Sequence, residues 1–469
     1  AGIDLHSHLT AHRVVAVNDG KLVQAFDSLP EAADRRLAPL IERLLTGDKR
    51  GETGVALLFL NLSRMSTRDL MVRALDCLIS RAEWDCLSSE AADPAFGPTS
   101  PLAKNFALLN DTLVRDRLEA LAELCDANGL HVSIREILVL LINGLLGCRT
   151  TETVARAETL RDIVRDGRQQ EASFYDNILG ANIPESRRER LAVYRFLTGF
   201  RIGAETSNAL DTLLVFGRDD ADLKEHYARL LASDQHYGTN PSFDRLREAY
   251  LEAEDDRDSA DAFHEGLVAE RRRLFFRLGE DDARFDPWHL SVFQSAGQYR
   301  AKLLAPLRSG QAVEPALLAS LVQGLNRVWT GMLAGTLDRL YLTTGLDFTT
   351  ARVSDLYLYA VPLERDFQGL GVELEFDPDR HMPVLHVHLG QDFSAELPLT
   401  LTRFEFLLRV AQGALPSSFS KECYEDITSF KTKVLSEYYR ATRGRQVPLS
   451  VLMSGKGGAL TPRPLGIRL

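Results

Sequence analysis

The sequence predicts a mainly α-helical protein that begins with an α/β segment and ends with a small α+β domain. Three observations predict this class. Residues 13–62 contain two short apolar runs, separated by a stretch with apolar residues at helical spacing. Residues 65–330 have helical periodicity almost throughout, with few candidate strands. After residue 350, apolar and polar residues alternate as in half-buried strands, and two helical patterns follow.

The α/β segment is a predicted strand–helix–strand unit. Its strands are residues 14–17 and 55–60, which end at Asn18 and Asn61. Apolar runs of this length fit strands that are buried on both faces, as in a parallel sheet covered by helices. Because open α/β sheets bind ligands at the carboxyl ends of their strands, the search for a functional site starts at these polar residues.

The composition describes a globular protein and excludes some classes of function. The chain has 469 residues, of which 45% are hydrophobic and 26% charged, so there is room for two or three domains. We place them at 1–150, 151–310 and 311–469. The formal charge of −11 argues against a protein that coats nucleic acid over its whole surface, but it leaves room for a local basic face. No apolar run is long enough to cross a membrane.

The five cysteines are scattered and include no Cys-x-x-Cys pair. In a chain of this size they indicate reduced thiols and hence a cytoplasmic protein. Irregular spacing disfavours a metal site on the first four, which are Cys77, Cys86, Cys125 and Cys148. The chain has no initiator Met and opens a few residues before a predicted strand, so we expect a fragment or the ordered part of a longer protein.

One cation in the helical region has an unusual predicted position. Ser133 followed by Glu136 is a capping-box signature, so a helix should begin after Ser133 and continue through a very apolar stretch. Arg135 then lies in the first turn, where the helix dipole disfavours a positive charge that has no anionic partner. The partner is either a ligand phosphate or a carboxylate in a surface ion pair, and position alone favours the ion pair.

Other predicted helices also carry arginines. A helix is predicted over residues 106–124, with Arg115 and Arg117 facing outward and with Asn128-Gly129 at its end. Two later passages, 185–196 and 268–278, interleave arginine with aromatic residues. Such passages can bind nucleic acid, but we favour the commoner explanation, which is the ordinary face of an amphipathic helix.

The C-terminal domain is predicted to contain four short strands followed by two helices. We place turns at Gly371 and Asp377, and we expect Gly413 to end the first of the two helices. The predicted strands are residues 356–362, 372–376, 384–389 and 395–399.

A glycine-rich sequence near the end, residues 454–458, looks like part of a phosphate loop. It reads Ser-Gly-Lys-Gly-Gly and lacks the Walker spacing. Pro462 and Pro464 follow it, and they cannot continue a helix. We therefore interpret this sequence as a flexible turn.

Two His-x-His pairs suggest a metal-dependent hydrolase as an alternative. His6 and His8 precede the first predicted strand, and His386 and His388 lie in a predicted C-terminal strand. Alternate residues of a strand can direct two imidazoles at one metal ion. Folds of that kind need repeated strand–helix units with further ligands, whereas residues 65–330 are nearly all helical. We therefore favour two loop histidines at the N-terminus and assign no metal ligand.

The passage RVVAVNDGKL, a helix, GVALLFLNLS and then HVSIREILVLLINGLLG resembles the second half of an AAA+ or STAND-type P-loop ATPase core. The resemblance implies the end of a P-loop-type parallel sheet followed by a helical lid. It places Asn18 at the strand-end sensor 1 position, as a catalytic and nucleotide-binding residue, and Arg135 at the sensor 2 position of the lid, as a nucleotide-binding residue. A strand-end amide can orient the attacking water, and a lid arginine can neutralise charge on the phosphoryl group. ATP and Mg²⁺ are the implied cofactors.

The passages GLNRVWTGML and PLTLTRFEFLLRVAQGALPSSFSKECYEDITSFKTKVL are similar to the tail of ATPases of DNA-phosphorothioation-dependent restriction and related bacterial anti-phage systems. This resemblance implies an ATPase-type subunit, with a regulatory or motor role, in a nucleic-acid-directed defence complex. Its partners would be other subunits and DNA, with no membrane, and a homo-oligomer is left open.

The sequence departs from this family in one respect. The Walker A loop and the Walker B acidic cluster, which should precede sensor 1, are not present in it. ATP hydrolysis is therefore expected only if an upstream segment supplies the groups that hold the phosphates and Mg²⁺. A catalytically inert scaffold is the third hypothesis.

Overall fold

The computed structural model describes most of the chain after residue 64. The described residues are 16–17, 21–22, 24, 65–87, 93–149, 156–252, 257–280, 284–332, 335, 338–345, 354–416, 418–443 and 450–465. The chain divides into two compact units, Ala1–Met65 and Ser66–Leu469. The predicted sheet of residues 13–62 lies almost wholly outside the described residues. Of its first strand only Ala16 and Val17 are described, and both are exposed and belong to no strand.

The unit Ser66–Leu469 is mainly helical in the part that the structure describes, as predicted. Its α-helices are α1 Thr67–Ile79, α2 Pro101–Asn110, α3 Thr112–Ala127, α4 Ile134–Leu146, α5 Ala157–Arg165, α6 Phe174–Ile178, α7 Glu185–Arg188, α8 Ala192–Gly199, α9 Asn208–Phe216, α10 Lys224–Tyr227, α11 Pro241–Leu251, α12 Arg257–Arg277, α13 Ala296–Gln298, α14 Ala305–Arg308, α15 Pro315–Thr330, α16 Leu401–Gln412 and α17 Lys421–Ala441. Short 3₁₀ turns occupy Ala82–Leu87, Gln169–Ala172, Pro287–Leu290 and Lys456–Gly458, and π-helical turns occupy Ala228–Ala232 and Tyr299–Leu304.

Seven strands in the described C-terminal part of the chain form two small sheets. They are β1 Arg339–Thr343, β2 Ser354–Pro362, β3 Leu370–Asp377, β4 Met382–Leu389, β5 Ser394–Pro398, β6 Ser450–Ser454 and β7 Leu460–Pro464. One sheet has the order β1-β2-β6-β7 and the other the order β3-β4-β5. All neighbouring strands are antiparallel. The α+β character of the C-terminal part is therefore confirmed, whereas a parallel sheet is not seen among the described residues.

The predicted helix over residues 106–124 is in fact two helices. Asp111 separates them, because its backbone leaves the helical conformation and its carboxylate accepts the N–H groups of Leu113 and Val114 at the start of α3. The N-cap residue Asp111 therefore divides the helix in two, although the apolar residues keep their helical spacing across it. The end of α3 is as predicted: Asn128 is its C-cap, and Gly129 follows with a φ of 68°.

The prediction that Arg117 faces outward is wrong. Its guanidinium carbon lies 4.9 Å from the ring centroid of Phe275 and 5.1 Å from that of Trp288. It donates to Glu280 at 2.9 Å and to the carbonyl of Leu278 at 2.9 Å. Burial lowers the pKa of this guanidinium to about 10. Arg117 therefore anchors α3 to the segment after α12, whereas Arg115 is partly exposed.

Glycines allow α4 and the short helix α6 to approach each other closely. A Cβ atom on Gly144 would lie 2.9 Å from side-chain atoms of Phe174 and Ile178, and one on Gly147 would lie 2.9 Å from the side chain of Asn177. Asn177 also donates through Nδ2 to the carbonyl of Gly147 at 2.9 Å. Because these glycines have no side chain, one side of α4 can pack closely against α6.

A similar close approach holds the C-terminal part together. A Cβ atom on Gly324 in α15 would lie 2.3 Å from the backbone oxygen of Leu407 in α16. The side chain of Asn326 links α15 to β1, since Nδ2 donates to the carbonyl of Arg339 at 2.8 Å and Oδ1 accepts from the N–H of Tyr341 at 2.9 Å. These contacts position the helices of the α+β part on its first strand.

The four predicted strands correspond to β2, β3, β4 and β5, with ends that differ slightly. The turn at Asp377 is confirmed, and Gly413 ends α16 with a φ of 114°. The prediction of a turn at Gly371 is wrong, because this residue lies inside β3. A Cβ atom there would lie 2.7 Å from the Cα of Arg365, so glycine lets the preceding loop pass over the sheet.

The glycine-rich sequence 454–458 joins β6 to β7, so its interpretation as a turn is confirmed. Pro462 and Pro464 lie in β7, at the edge of the four-stranded sheet, where proline is tolerated.

One continuous buried core includes residues from Met71 to Tyr438. The predicted domain boundaries after residues 150 and 310 stay predictions. None of the helices described here is both long and apolar enough to span a membrane.

Candidate functional site around Arg135

Arg135 lies in the first turn of α4, where the sequence predicted it. The Ser133 side chain accepts the N–H of Glu136, and the Glu136 carboxylate reaches back to the N–H of Ser133, so the predicted capping box is confirmed. The other carboxylate oxygen of Glu136 accepts the N–H of Ala192 at 2.7 Å. The Glu136 carboxylate therefore accepts hydrogen bonds from two backbone segments. Arg135 is exposed and pairs with no carboxylate among the described residues.

An unpaired cation at this point has an electrostatic cost. The first turn is the positive end of the helix dipole, and a misplaced charge there costs about 0.3–1 kcal/mol when exposed. The surface ion pair that position alone favoured for Arg135 is not found within the part of the chain that the structure describes. A guanidinium presents a planar fork that matches the oxygens of a phosphate or a carboxylate. Arg135 is therefore suited to bind an anionic group of another molecule.

The surface around Arg135 is apolar. Ile134 is 45% exposed, Leu138 42% and Val139 36%, and Ile142 is half-buried. At 3.6 residues per turn, these four residues share one side of α4 with Arg135, and we call the five residues together the α4 face. The sequence showed that α4 is very apolar, but not that one side of it is exposed. The sequence showed apolar residues on all sides of this helix. That pattern is typical of a helix with neighbours on every side.

Exposed charged residues occur in the segment 185–195. The hydrogen bond between Glu136 and Ala192 places Ala192 beside the first turn of α4, whereas Asn182 pairs with Asn143 nearer the other end of this helix. The exposed charged residues are Glu185, Arg187, Glu189, Arg190 and Arg195. This passage is one of the two in which arginine alternates with aromatic residues. Its arginines are exposed or half-buried, whereas Tyr194 is buried.

The second arginine–aromatic passage, in α12, lies inside the protein. Arg271 donates to Asp211 at 2.7 Å, Arg272 donates to Asp176 at 2.7 Å, and Arg273 donates to its own helix neighbour Glu270 at 2.9 Å. These arginines therefore neutralise internal carboxylates. The nucleic-acid interpretation does not fit this passage. Its apolar residues Leu274, Phe275 and Phe276 are buried, as the interpretation as an amphipathic helix expects, but the arginines beside them are buried or half-buried as well.

His386 and His388 lie side by side on β4, with ring centroids 5.9 Å apart. The Nε2 atom of His388 is 3.3 Å from a Glu373 oxygen, and that of His386 is 3.6 Å from a Glu375 oxygen. Within the described ranges, no group of three or more His, Cys, Asp or Glu residues could hold a metal ion.

Burial, with Arg365 and His386 nearby, lowers the pKa of His388, although Glu373 and Glu375 oppose the shift. A base with a lowered folded-state pKa keeps its stabilising effect above its unfolded pKa of about 6.5 and loses it as the pH falls below that value. We therefore expect the free energy of unfolding of His388→Asn to fall less than that of the wild type between about pH 7.5 and about pH 5.5. Urea titrations at the two pH values measure this.

The exposed His131 provides the control for this experiment. His131→Asn should keep the wild-type response to pH. An unchanged response in His388→Asn would show that His388 does not contribute to the acid sensitivity of the fold.

Other predicted site residues fall outside the described part of the chain. Asn18, which the family resemblance pairs with Arg135, is one of them, and so are His6 and His8. Their roles stay predictions. Cys77 and Cys86 are exposed and Cys125 and Cys148 are buried, and none of the four forms a disulfide with a described residue.

No protein-family profile, curated protein or solved structure matches the chain.

Proposed function

We propose that the chain is a nucleotide-responsive, ATPase-type subunit of a bacterial nucleic-acid-directed defence complex, in which Arg135 contacts the nucleotide phosphates. The observation that carries the proposal is an exposed arginine in the first turn of a bundled helix, with no carboxylate partner among the described residues. The resemblance of residues 13–147 to a P-loop ATPase core and lid supports the same role. A nucleotide would supply the anion that this position lacks.

The guanidinium of Arg135 is chemically suited to bind the phosphate groups of ATP. Its guanidinium can donate two parallel hydrogen bonds to phosphate oxygens and offset their charge. The described residues contain no acidic group of three that suits a metal ion. Bound Mg²⁺–ATP would supply the phosphoryl group, and the part played by Arg135 is to bind and orient it.

We expect Arg135→Ala to weaken the binding of a fluorescent ATP analogue, in the presence of Mg²⁺, by about tenfold or more. A hydrogen bond to a charged group contributes about 1.5–3 kcal/mol, and 1.4 kcal/mol corresponds to a factor of ten. Arg135→Lys should retain part of the affinity, because it keeps the charge but not the planar fork. Fluorescence anisotropy with the purified chain measures the three dissociation constants.

Arg440→Ala is the matched control, since Arg440 is an exposed arginine in the last turn of α17. It should bind the analogue like the wild type. Wild-type affinity in Arg135→Ala would remove Arg135 from the site. A full-length protein that includes any upstream segment and still binds no nucleotide would contradict the proposal itself.

A catalytically inert scaffold is the second candidate function, and the α4 face favours it. An apolar surface with a single arginine is typical of a protein interface. The scaffold function predicts partner binding without any effect of nucleotide, so the anisotropy experiment separates the two candidates. The metal-dependent hydrolase has less support, because His386 and His388 belong to no described group of metal-ligand size.

A further inference from the structure

We propose that two arginines beside α6 bind the phosphate backbone of double-stranded nucleic acid. They are Arg149 and Arg188, and we call them the arginine pair. The proposal goes beyond the nucleotide site at Arg135 and does not rest on nucleotide binding. It gives a function to cations that the proposed function leaves unused.

Arg149 carries a positive charge that its protein partner leaves in excess. It donates through Nη2 to one oxygen of Asp176 at 2.8 Å, and Arg272 donates through Nη1 to the other oxygen at 2.7 Å. Asp176 lies in α6 and is only 2% exposed. One carboxylate therefore faces two guanidinium groups. Because the more buried Arg272 already neutralises Asp176, the charge of Arg149 remains available to a ligand.

Arg188 approaches the same element from another segment. A Cβ atom on Gly180, in the turn after α6, would lie 3.3 Å from the Cδ atom of Arg188. This turn is held to α6, since the N–H of Ala181 donates to the carbonyl of Asp176 at 3.0 Å. The side chain of Arg188 is half-buried and pairs with no described residue, and its Nε atom is buried without a partner. The arginine pair therefore flanks α6 and the turn that follows it.

The local charge is positive, although the whole chain carries −11. Arg149, Arg272 and Asp176 together carry one positive charge. Residues 185–190 add another, since three arginines outnumber two glutamates; these residues are Glu185, Arg187, Arg188, Glu189 and Arg190. Neighbouring arginines have carboxylates of their own, and these pairs are Arg168 with Glu171, Arg271 with Asp211 and Arg273 with Glu270. This part of the surface therefore attracts anions.

The residue type favours phosphate as the anion. A guanidinium presents parallel N–H groups in a planar fork, which matches two oxygens of a phosphate. The side chain of Arg149 is 42% exposed, so the N–H groups that do not bind Asp176 can reach a ligand at the surface. Contacts of this kind hold a nucleic-acid backbone without reading its sequence.

The aromatic residues near Arg188 favour a duplex over a single strand. Proteins that bind single strands stack the bases on exposed aromatic rings. Tyr194 is fully buried, and the half-buried Phe196 packs against Phe200 with ring centroids 4.9 Å apart. The passage therefore presents charge but no open ring on which a base could stack. A duplex, which carries its phosphates on the outside, fits such a surface.

Fluorescence anisotropy of a labelled DNA duplex with the full chain, between about 50 and about 200 mM salt, tests the proposal. We expect binding that is independent of base sequence. The plot of log K against log salt should have a slope of about −2, because each neutralised phosphate contributes about −0.9. Arg149→Ala/Arg188→Ala should bring the slope close to zero and weaken binding at the lowest salt at least tenfold, since hydrogen bonds to charged groups are lost.

Two further variants make the test specific. Arg188→Ala alone removes no described contact, so it should fold normally and reduce the slope by about 0.9. Arg440→Ala is the matched control, because Arg440 is exposed and the helices and strands that α17 mainly contacts lie in the C-terminal part. It should bind the duplex with the wild-type slope. Circular dichroism checks that all variants remain helical.

Four outcomes would overturn the proposal. They are a wild type that binds no duplex at the lowest salt, an unchanged slope in the double variant, an equal loss in Arg440→Ala, and tighter binding of a single strand of the same length. None of them alters the affinity for nucleotide at Arg135, which is measured separately. The failure of this proposal is therefore distinguishable from the failure of the proposed function.

Discussion

Replacing Glu270 by leucine is expected to lower the free energy of unfolding by about 3–5 kcal/mol, since it leaves a buried guanidinium without its bonded carboxylate. Arg273 is 1% exposed and donates to Glu270 through Nε at 2.9 Å. Its two Nη atoms have no hydrogen-bond partner among the described residues. A loss of this size is a large fraction of the typical stability of a domain. Urea denaturation followed by circular dichroism measures it.

Two further variants show whether charge is the cause. Glu265 is exposed on the same helix, so Glu265→Leu should change the stability by no more than about 0.5 kcal/mol. The double variant Glu270→Leu/Arg273→Met should recover most of the loss, because an apolar pair of similar size can replace a buried ion pair at little cost. If Glu270→Leu were as mild as the control, the ion pair would not be the important contact.

Enlarging Gly324 is expected to separate α15 from α16. The Cβ atom of any other residue would lie 2.3 Å from the backbone oxygen of Leu407, and a backbone atom cannot move aside as the end of a flexible side chain can. We expect Gly324→Val to cost about 3 kcal/mol, at the upper end of the range for overpacked sites. Thermal and urea unfolding both report this change.

The control for Gly324 is another helical glycine. A Cβ atom on Gly199, the last residue of α8, would meet no atom within 4 Å. Gly199→Ala should therefore be neutral or slightly stabilising, by up to about 1 kcal/mol, through helix propensity alone. Equal effects at the two glycines would contradict the argument from close packing.

Features set by neighbouring residues could be predicted from the sequence. The capping box of Ser133 and Glu136 is a local motif, and so is the helix end at Gly413, where a left-handed backbone favours glycine. Four of the described strands of the C-terminal part, β2 to β5, were predicted from apolar runs in the sequence, whereas β1, β6 and β7 were not. These features were confirmed because their physical causes lie within a few residues.

Features set by distant residues could not be predicted in this way. Arg117 looked like a surface residue because its partners Leu278 and Glu280 are 161 and 163 residues away in the chain. The exposure of Leu138 is of the same kind, since an apolar residue in a helix carries no local sign of whether a neighbour covers it. For the candidate site, the sequence located Arg135 in its helical turn but gave no information about its apolar surroundings.

The arginines of α12 have a consequence for the order in which the protein forms. Their carboxylate partners Asp211, Asp176 and Asp111 precede them by 60, 96 and 166 residues. During synthesis all three aspartates are made before α12 exists. Asp176 can already pair with Arg149, which donates to it at 2.8 Å, whereas Asp211 and Asp111 lack their arginine partners until α12 emerges. The segments that carry these two aspartates therefore stay hydrated at that stage. We expect the helical middle of the chain to close late and as one cooperative event, with non-local contacts that make folding slow.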